Sequence, residues 1–285
     1  MTRPPRPYDG AQVVFGTMHG KAELARDPFR NILGADVVMP ASLDTDQFGT
    51  FTGEKPRTLS PHDSARAKAR LGMQITGMPY GLASEGSFNT DFGYLVEHQE
   101  ILIFIDDRIG LELVDGQSCV SPLPPASTVD SVEGALRYAT AIDFPRQKLV
   151  VRTAEGPTLL DRGTVLNKGV ESFDKLKVIV EQQIQTVGRV TLEPDFRAHY
   201  CPSRAKQISS LAISMAKRLA TPCPSCEAPG FGQVNVERGL SCRDCLLPTR
   251  SITADIDGCG ICDFTARRPR PERFAEPDRC DHCNP

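Results

Sequence analysis

Eight of the ten cysteines fall in four Cys-x-x-Cys pairs near the end of the chain: Cys223/Cys226, Cys242/Cys245, Cys259/Cys262 and Cys280/Cys283. Two residues between cysteines let both sulfurs approach one ion from a tight turn, and two such turns complete a tetrahedron. Eight sulfurs therefore suit two structural Zn2+ sites of four thiolates each. No ligand is missing, so neither site keeps the open position that catalytic zinc needs. Gaps of 15, 13 and 17 residues separate successive pairs. Consecutive pairing, first with second and third with fourth, is the simplest expectation and gives two zinc ribbons in tandem. Interleaved and nested pairings are also open. No apolar stretch of signal-peptide type follows "MTRPPRPYDG", so the cysteine pattern reads as metal rather than disulfide.

The other residues with chemical potential are spread over the first two hundred positions. Phosphate chemistry asks for cationic or backbone groups to hold the anion, carboxylates for magnesium, and a base or positioned water. "VVFGTMHGK" runs a strand into a glycine-bracketed turn, where Thr17, His19 and Lys21 could converge on an anion with free amides. Glu54 lies in the loop "FTGEKP", Lys68 on a helix, and Glu85 after the strand "YGLAS", where α/β proteins commonly build their sites. Taken singly, each has an ordinary reading as a turn, a surface charge or a polar strand end.

Their order carries more than any one of them. Gly-Thr-x-His-x-Lys, then Gly-Glu, then a capped helix with Lys-Ala, then "TGMPYGLASEGSF" is similar to the inosine triphosphate pyrophosphatase family. That resemblance implies an α/β fold with a mixed sheet flanked by helices and a Mg2+-dependent cleavage of nucleoside triphosphate to monophosphate and pyrophosphate. It implies phosphate-binding roles for Thr17, Lys21 and Lys68, and magnesium-binding and catalytic roles for Glu54 and Glu85. "CPSRAKQISSL" resembles the family's closing helix start, with Ser203 and Arg204 in the matching places. His19 stands near a usual asparagine, and Glu85 replaces a usual aspartate. Over its whole length the chain resembles a bacterial family known only as a domain of unknown function, through "FGTMHGK", "LDTDQFGTFTGE", "GLASEGSF", "DFRAHY" and the four terminal pairs. This second resemblance groups Asp195, Arg197, His199 and Arg204 in one polar constellation, in which Arg197 and Arg204 would clamp an anion. The alternative is a non-catalytic nucleotide sensor, or a zinc-ribbon adaptor engaging a protein or nucleic acid partner through the tail.

The elements that must position these residues alternate between strand and helix. Gln12–Phe15 and Asp36–Met39 are short apolar runs bounded by glycine or proline. Asp27-Pro28 has the form of a helix start. "SPHDSARAKARLGMQITG" carries Ser60 as cap, Pro61 at the first position, Asp63 in a capping box and Gly77 as stop. Strands are expected at Tyr80–Ser84, Glu100–Asp106 and Leu111–Cys119, the last two paired across "DRIG", and near Lys148–Val151 and Arg189–Leu192. Helices are expected at Val132–Ala141, Ser172–Thr186 and Ala205–Leu219, with a loop at Pro122–Ser127. "TARRPRPER", from Thr265, reads as a solvated basic loop.

These elements divide into a disordered tail over 1–10, an α/β nucleotide-binding domain over 11–220 and a tandem zinc-ribbon domain over 221–285. With 285 residues, 40% hydrophobic and 24% charged, the chain is long enough for such a two-part arrangement. A net charge of -3 provides no general attraction to nucleic acid or acidic membranes. The longest apolar run, "ILIFI", is too short to span a bilayer. A cytoplasmic protein handling a nucleotide-like small molecule is the expectation, and a homodimer is compatible with it.

Overall fold

The computed structural model describes residues 6–18, 20–40, 42–50, 55–91, 95–154 and 162–285. The first sheet is built from β1 (Gln12–Phe15), α1 (Lys21–Pro28), β2 (Asp36–Val38), α2 (Pro61–Thr76), β3 (Tyr80–Asp91), β4 (Leu95–Asp106) and β5 (Leu111–Val120). Its order is β2-β1-β3-β4-β5. β1 runs parallel to both β2 and β3, whereas β3, β4 and β5 form an antiparallel meander. The fold is therefore α/β with a mixed sheet. Period-two alternation sends Val13, Phe15, Leu82, Leu102 and Phe104 into one core and Val14, Ala83, Ile103 and Ile105 into another. α2 covers the second face through Ala65, Ala69 and Met73.

A second sheet follows from β6 (Ser127–Val129), α3 (Val132–Ala141), β7 (Leu149–Ala154), β8 (Arg162–Val170), α4 (Phe173–Val187) and β9 (Val190–Pro194). It is antiparallel in the order β6-β9-β7-β8, and Ala135, Ala139, Leu176 and Val180 pack α3 and α4 into its core. The chain then returns along α5 (Pro202–Leu219), whose Leu211, Ala212, Met215 and Leu219 join α1 on the first sheet.

Several local expectations change. Asp27-Pro28 does not open a helix: Pro28 ends α1, and a π-helical turn over Phe29–Leu33 carries the chain onward. Proline lacks the N–H that would continue the ladder and crowds the preceding turn, so a wider turn relieves the conflict. Residues 6–10 are not a loose tail, because Tyr8 is buried, donates to Asp106 Oδ2 at 3.1 Å and packs edge-on to Tyr80 and Phe104. β3 is also longer than expected, continuing past Ser84 as half of a hairpin with β4.

The Cys-rich end forms one three-stranded antiparallel sheet of β10 (Gly232–Arg238), β11 (Ile252–Gly258) and β12 (Thr265–Pro269). "TARRPRPER" supplies β12 rather than a solvated loop. Arg267 pairs with Glu237 on β10, while Arg268 and Arg270 pair with Asp255 on β11. Three arginines of the basic cluster are thereby paired with carboxylates of the neighbouring strands.

Candidate functional site

β1 stops at Phe15, whereas β3 runs on beyond its last β1 partner, Leu82. With β2 on one side of β1, β3 on the other, and their helices on opposite faces, this is the switch point where open α/β sheets form a crevice beyond the strands' carboxyl ends. Ser84 and Glu85 sit on the stretch of β3 that β1 leaves uncovered, and both line that crevice. Alternation points them to opposite faces. Ser84 shares the α1/α5 side with Lys21 and Arg204, and Glu85 faces Lys68 of α2.

The turn after β1 is pressed against α2. A side chain at Gly16 would put its Cβ 2.1 Å from the Lys68 carbonyl oxygen, so only glycine allows this approach. The turn delivers Thr17 and Lys21, both buried, to the crevice. Lys21 Nζ donates to the Ser84 carbonyl at 2.9 Å and lies 3.9 Å from Glu100 Oε1. Burial, reinforced by the nearby Arg204 charge, pulls the Lys21 ammonium down to about 7.

Glu85 is 3% exposed. One of its oxygens accepts from Lys68, and Arg57 Nη2 lies 3.3 Å from the other. Burial pushes its carboxyl up, yet Lys68, Lys21 and Arg57 together overcome this and hold it below its ordinary value. Behind the crevice, Arg204 grips Glu100 through Nε at 2.8 Å and Nη2 at 3.1 Å, and both residues are fully buried. His98 Nε2 is 3.1 Å from the same carboxylate. Burial opposes ionisation of Glu100, but Arg204, His98 and Lys21 keep it charged. From the second sheet come Lys168 on β8 and Arg197 between β9 and α5. Arg197 makes a two-point contact with the buried Asp195, Nε to Oδ1 at 2.9 Å and Nη2 to Oδ2 at 2.6 Å, and lies over the Tyr200 ring.

Of the residues singled out from sequence, Thr17, Lys21, Lys68, Glu85, Arg197 and Arg204 line one crevice. His199 and Ser203 stay outside its lining: His199 packs against Tyr200, and Ser203 Oγ lies 3.4 Å from Cys201 Sγ. His19 and Glu54 lie outside the described residues. Sequence reasoning missed Arg57, Ser84, Lys168 and Glu100. Glu100 had a signal, since it falls in register with Val96, Leu102 and Phe104 on the core face of β4, where a carboxylate needs a reason. Ser84 is 1% exposed, and its buried hydroxyl has no hydrogen-bond partner among the described residues.

The cysteines gather into two sets, Cys223/Cys226 with Cys259/Cys262 and Cys242/Cys245 with Cys280/Cys283. The pairing is interleaved, and the expectation of consecutive ribbons is corrected. The cause is the β10–β11 hairpin. Gly232 pairs with Gly258, so the turn before β10 meets the turn after β11, while the second pair lies in the hairpin's connection. The return of the chain along β12 brings the fourth pair to that other end, where Cys242 bridges to Ala275. Sulfurs of opposite pairs approach to 3.8 and 3.7 Å in the first set and to 3.8 and 3.5 Å in the second. A tetrahedron with Zn–S bonds of about 2.3 Å has edges of about 3.8 Å, so both sets could hold zinc.

The first cysteine set is pressed onto the α/β core. Side chains at Gly230 and Gly260 would collide with Leu113 and Leu111 of β5. Arg218 at the end of α5 ties the Gly230 carbonyl to that of Val114, with donor distances of 3.1 and 3.3 Å.

The fold and its sites define an α/β protein with a cation-lined crevice and two four-cysteine centres. The chain belongs to the DUF6671 family, a domain of unknown function, whose model matches residues 68–285. No curated protein matches the sequence. Among solved structures, the dodecamer of a PelC variant from Paraburkholderia phytofirmans is similar over 42% of this chain and 79% of that one, at 10% identity and a TM-score of 0.23. A likeness that slight carries no argument about fold. Neither match links residues 12–88 to the inosine triphosphate pyrophosphatases. Among the described residues, no helix is long and apolar enough to cross a membrane.

Proposed function

We propose that the crevice recognises a phosphorylated small molecule, with nucleotides the first class to test. One observation carries this reading: six cationic side chains from several helices, loops and one strand line a single crevice in which the buried Ser84 hydroxyl lacks a partner among the described residues. Among the described residues, the carboxylates of Asp46 and Glu85 share the lining with these cations, and Glu100 and Asp195 lie behind it. Cationic donors gathered in a partly desolvated crevice favour an oxyanion.

Hydrolysis of a nucleoside triphosphate is the sharper form of this reading, with magnesium at Glu54 and Glu85. The geometry supports recognition ahead of it, because Lys68 and Arg57 already engage Glu85. A metal would have to displace one of them. The cysteine centres fit a structural role beside either form, and the paired arginines of β12 weaken the case for a nucleic-acid adaptor.

The test is a calorimetric and product-release screen of zinc-replete full-length protein against nucleoside mono-, di- and triphosphates, with and without magnesium. Binding that weakens at least about tenfold in Lys68→Ala is expected, a loss comparable to one charge-assisted contact. Failure of every phosphorylated compound to bind, or undiminished binding in that variant, would remove the proposal. Magnesium-dependent pyrophosphate release that disappears in Glu85→Gln would favour the hydrolase form over a sensor.

A further inference from the structure

Glu85 is a buried carboxylate in the lining of a crevice that gathers cations. Lys68 donates to one of its oxygens, and Arg57 Nη2 lies 3.3 Å from the other. Against its burial, Lys68, Lys21 and Arg57 keep it ionised. An ionised carboxylate can accept about four hydrogen bonds and donates none. Asp46, half-buried, brings a second carboxylate to the same lining. Beside Glu85 on β3, the buried Ser84 hydroxyl has no partner among the described residues. A phosphate monoester gives up its last acid proton at about pH 6, so near neutrality its phosphoryl oxygens accept hydrogen bonds and repel a carboxylate. Those oxygens suit Ser84, Lys21 and Lys68, but not Glu85. An ammonium on the ligand would donate to Glu85, yet it would meet the charges of Lys68 and Arg57 beside that carboxylate. A ligand hydroxyl meets neither conflict, since it donates to the carboxylate and carries no charge.

Resting on the phosphorylated-ligand reading, we infer that the alcohol part of the ligand carries a free hydroxyl that donates to Glu85, while the Ser84 hydroxyl donates to a phosphoryl oxygen. The ligand class is thus a phosphate ester of a sugar or polyol, ribonucleotides included, rather than of a simple alkyl alcohol. Glu85 selects the ligand by its hydroxyl, and the cations hold it by its charge. A site built around a buried acceptor discriminates strongly against an analogue without the matching donor, because the acceptor is then left unpaired.

The experiment compares two pairs of esters by isothermal titration calorimetry, using zinc-replete full-length protein. One pair is glycerol phosphate and propyl phosphate, and the other is adenosine monophosphate and its analogue lacking both ribose hydroxyls. Members of a pair carry the same charge, so cations alone do not separate them. Wild type is expected to prefer the hydroxylated member of at least one pair by about tenfold or more, and the pair that shows it distinguishes a free polyol phosphate from a ribonucleotide. In Glu85→Gln that preference should fall toward equality, because a neutral amide is the weaker acceptor. A purely structural role for Glu85 would move both members alike and keep their ratio. Ser84→Ala should weaken both members by a similar factor, about threefold or more, since it removes a donor to the group they share. Thermal melting checks that each variant is folded. Wild-type binding with no preference in either pair overturns this inference and leaves the phosphorylated-ligand reading standing. A preference that persists in Glu85→Gln, or undiminished binding in Ser84→Ala, also overturns it. Binding of none of the four esters, together with failure of the nucleotide screen, overturns both.

Discussion

Lys21 illustrates how one buried side chain can set the pH response of a site. Its ammonium is held down to about 7, first by burial and then by the neighbouring Arg204 charge. An anion prefers the charged form, so affinity for a phosphorylated ligand should decline as pH rises above about 7. Binding near neutrality should be accompanied by proton uptake, read as a dependence of the calorimetric heat on buffer ionisation enthalpy. In Lys21→Arg the guanidinium stays charged, and both effects should disappear. The stability effect has the opposite sign. Between about 7 and the ordinary value of 10.5 the unfolded chain binds the proton more tightly, so this group favours folding increasingly as pH rises through that window. Affinity that is flat from neutral to mildly alkaline pH in wild type would count against a buried, half-protonated Lys21.

The elements explain why distant residues meet. Ser60 caps α2 by accepting from the Asp63 N–H, and this fixes the start of the helix that carries Lys68 to the crevice. The shortness of β1 against β3 leaves Ser84 and Glu85 uncovered at the switch point. In the Cys-rich sheet, the β10–β11 hairpin dictates which sulfurs meet, and double substitutions can read the pairing directly. Cys226→Ala/Cys259→Ala removes ligands from one set only, so native mass spectrometry should show one zinc per chain. Cys226→Ala/Cys242→Ala breaks both sets and should leave none bound tightly. Consecutive ribbons would reverse these two outcomes.

Across the whole molecule, the cysteine-rich end is joined to the α/β part rather than strung behind it. Gly230 and Gly260 sit on Leu113 and Leu111, and Arg218 bonds across the junction. Truncation after residue 220 would strip this cover from the two leucines. Exposing two leucines costs about 2–5 kcal/mol in transfer free energy alone, so residues 1–220 should melt well below full-length protein and aggregate more readily. Chelation of zinc from the intact chain should lower the melting temperature in the same direction, because metal binding to such sites contributes folding free energy. A truncated chain with an unchanged melting curve would show that the two parts are independent.

Much of this organisation was legible in the residues themselves. The CxxC pairs announced two four-cysteine centres because thiolate spacing is local. The cap of Ser60 and the apolar face of α5 marked helices through contacts made within a few turns. The mixed character of the fold followed from alternating strands and helices. Local signals were weaker where the chain works against them, as at Pro28, or where a strand such as β8 lacks a clean alternation. The tertiary structure alone decided that the cysteine pairs interleave, that Glu85 is held by Lys68 and Arg57, and that Lys168 faces the same crevice as Lys21. Those relations depend on strand register and on the packing of two sheets, which bring together residues as distant in sequence as Lys21 and Lys168. Spacing along the chain encodes only the geometry of near neighbours.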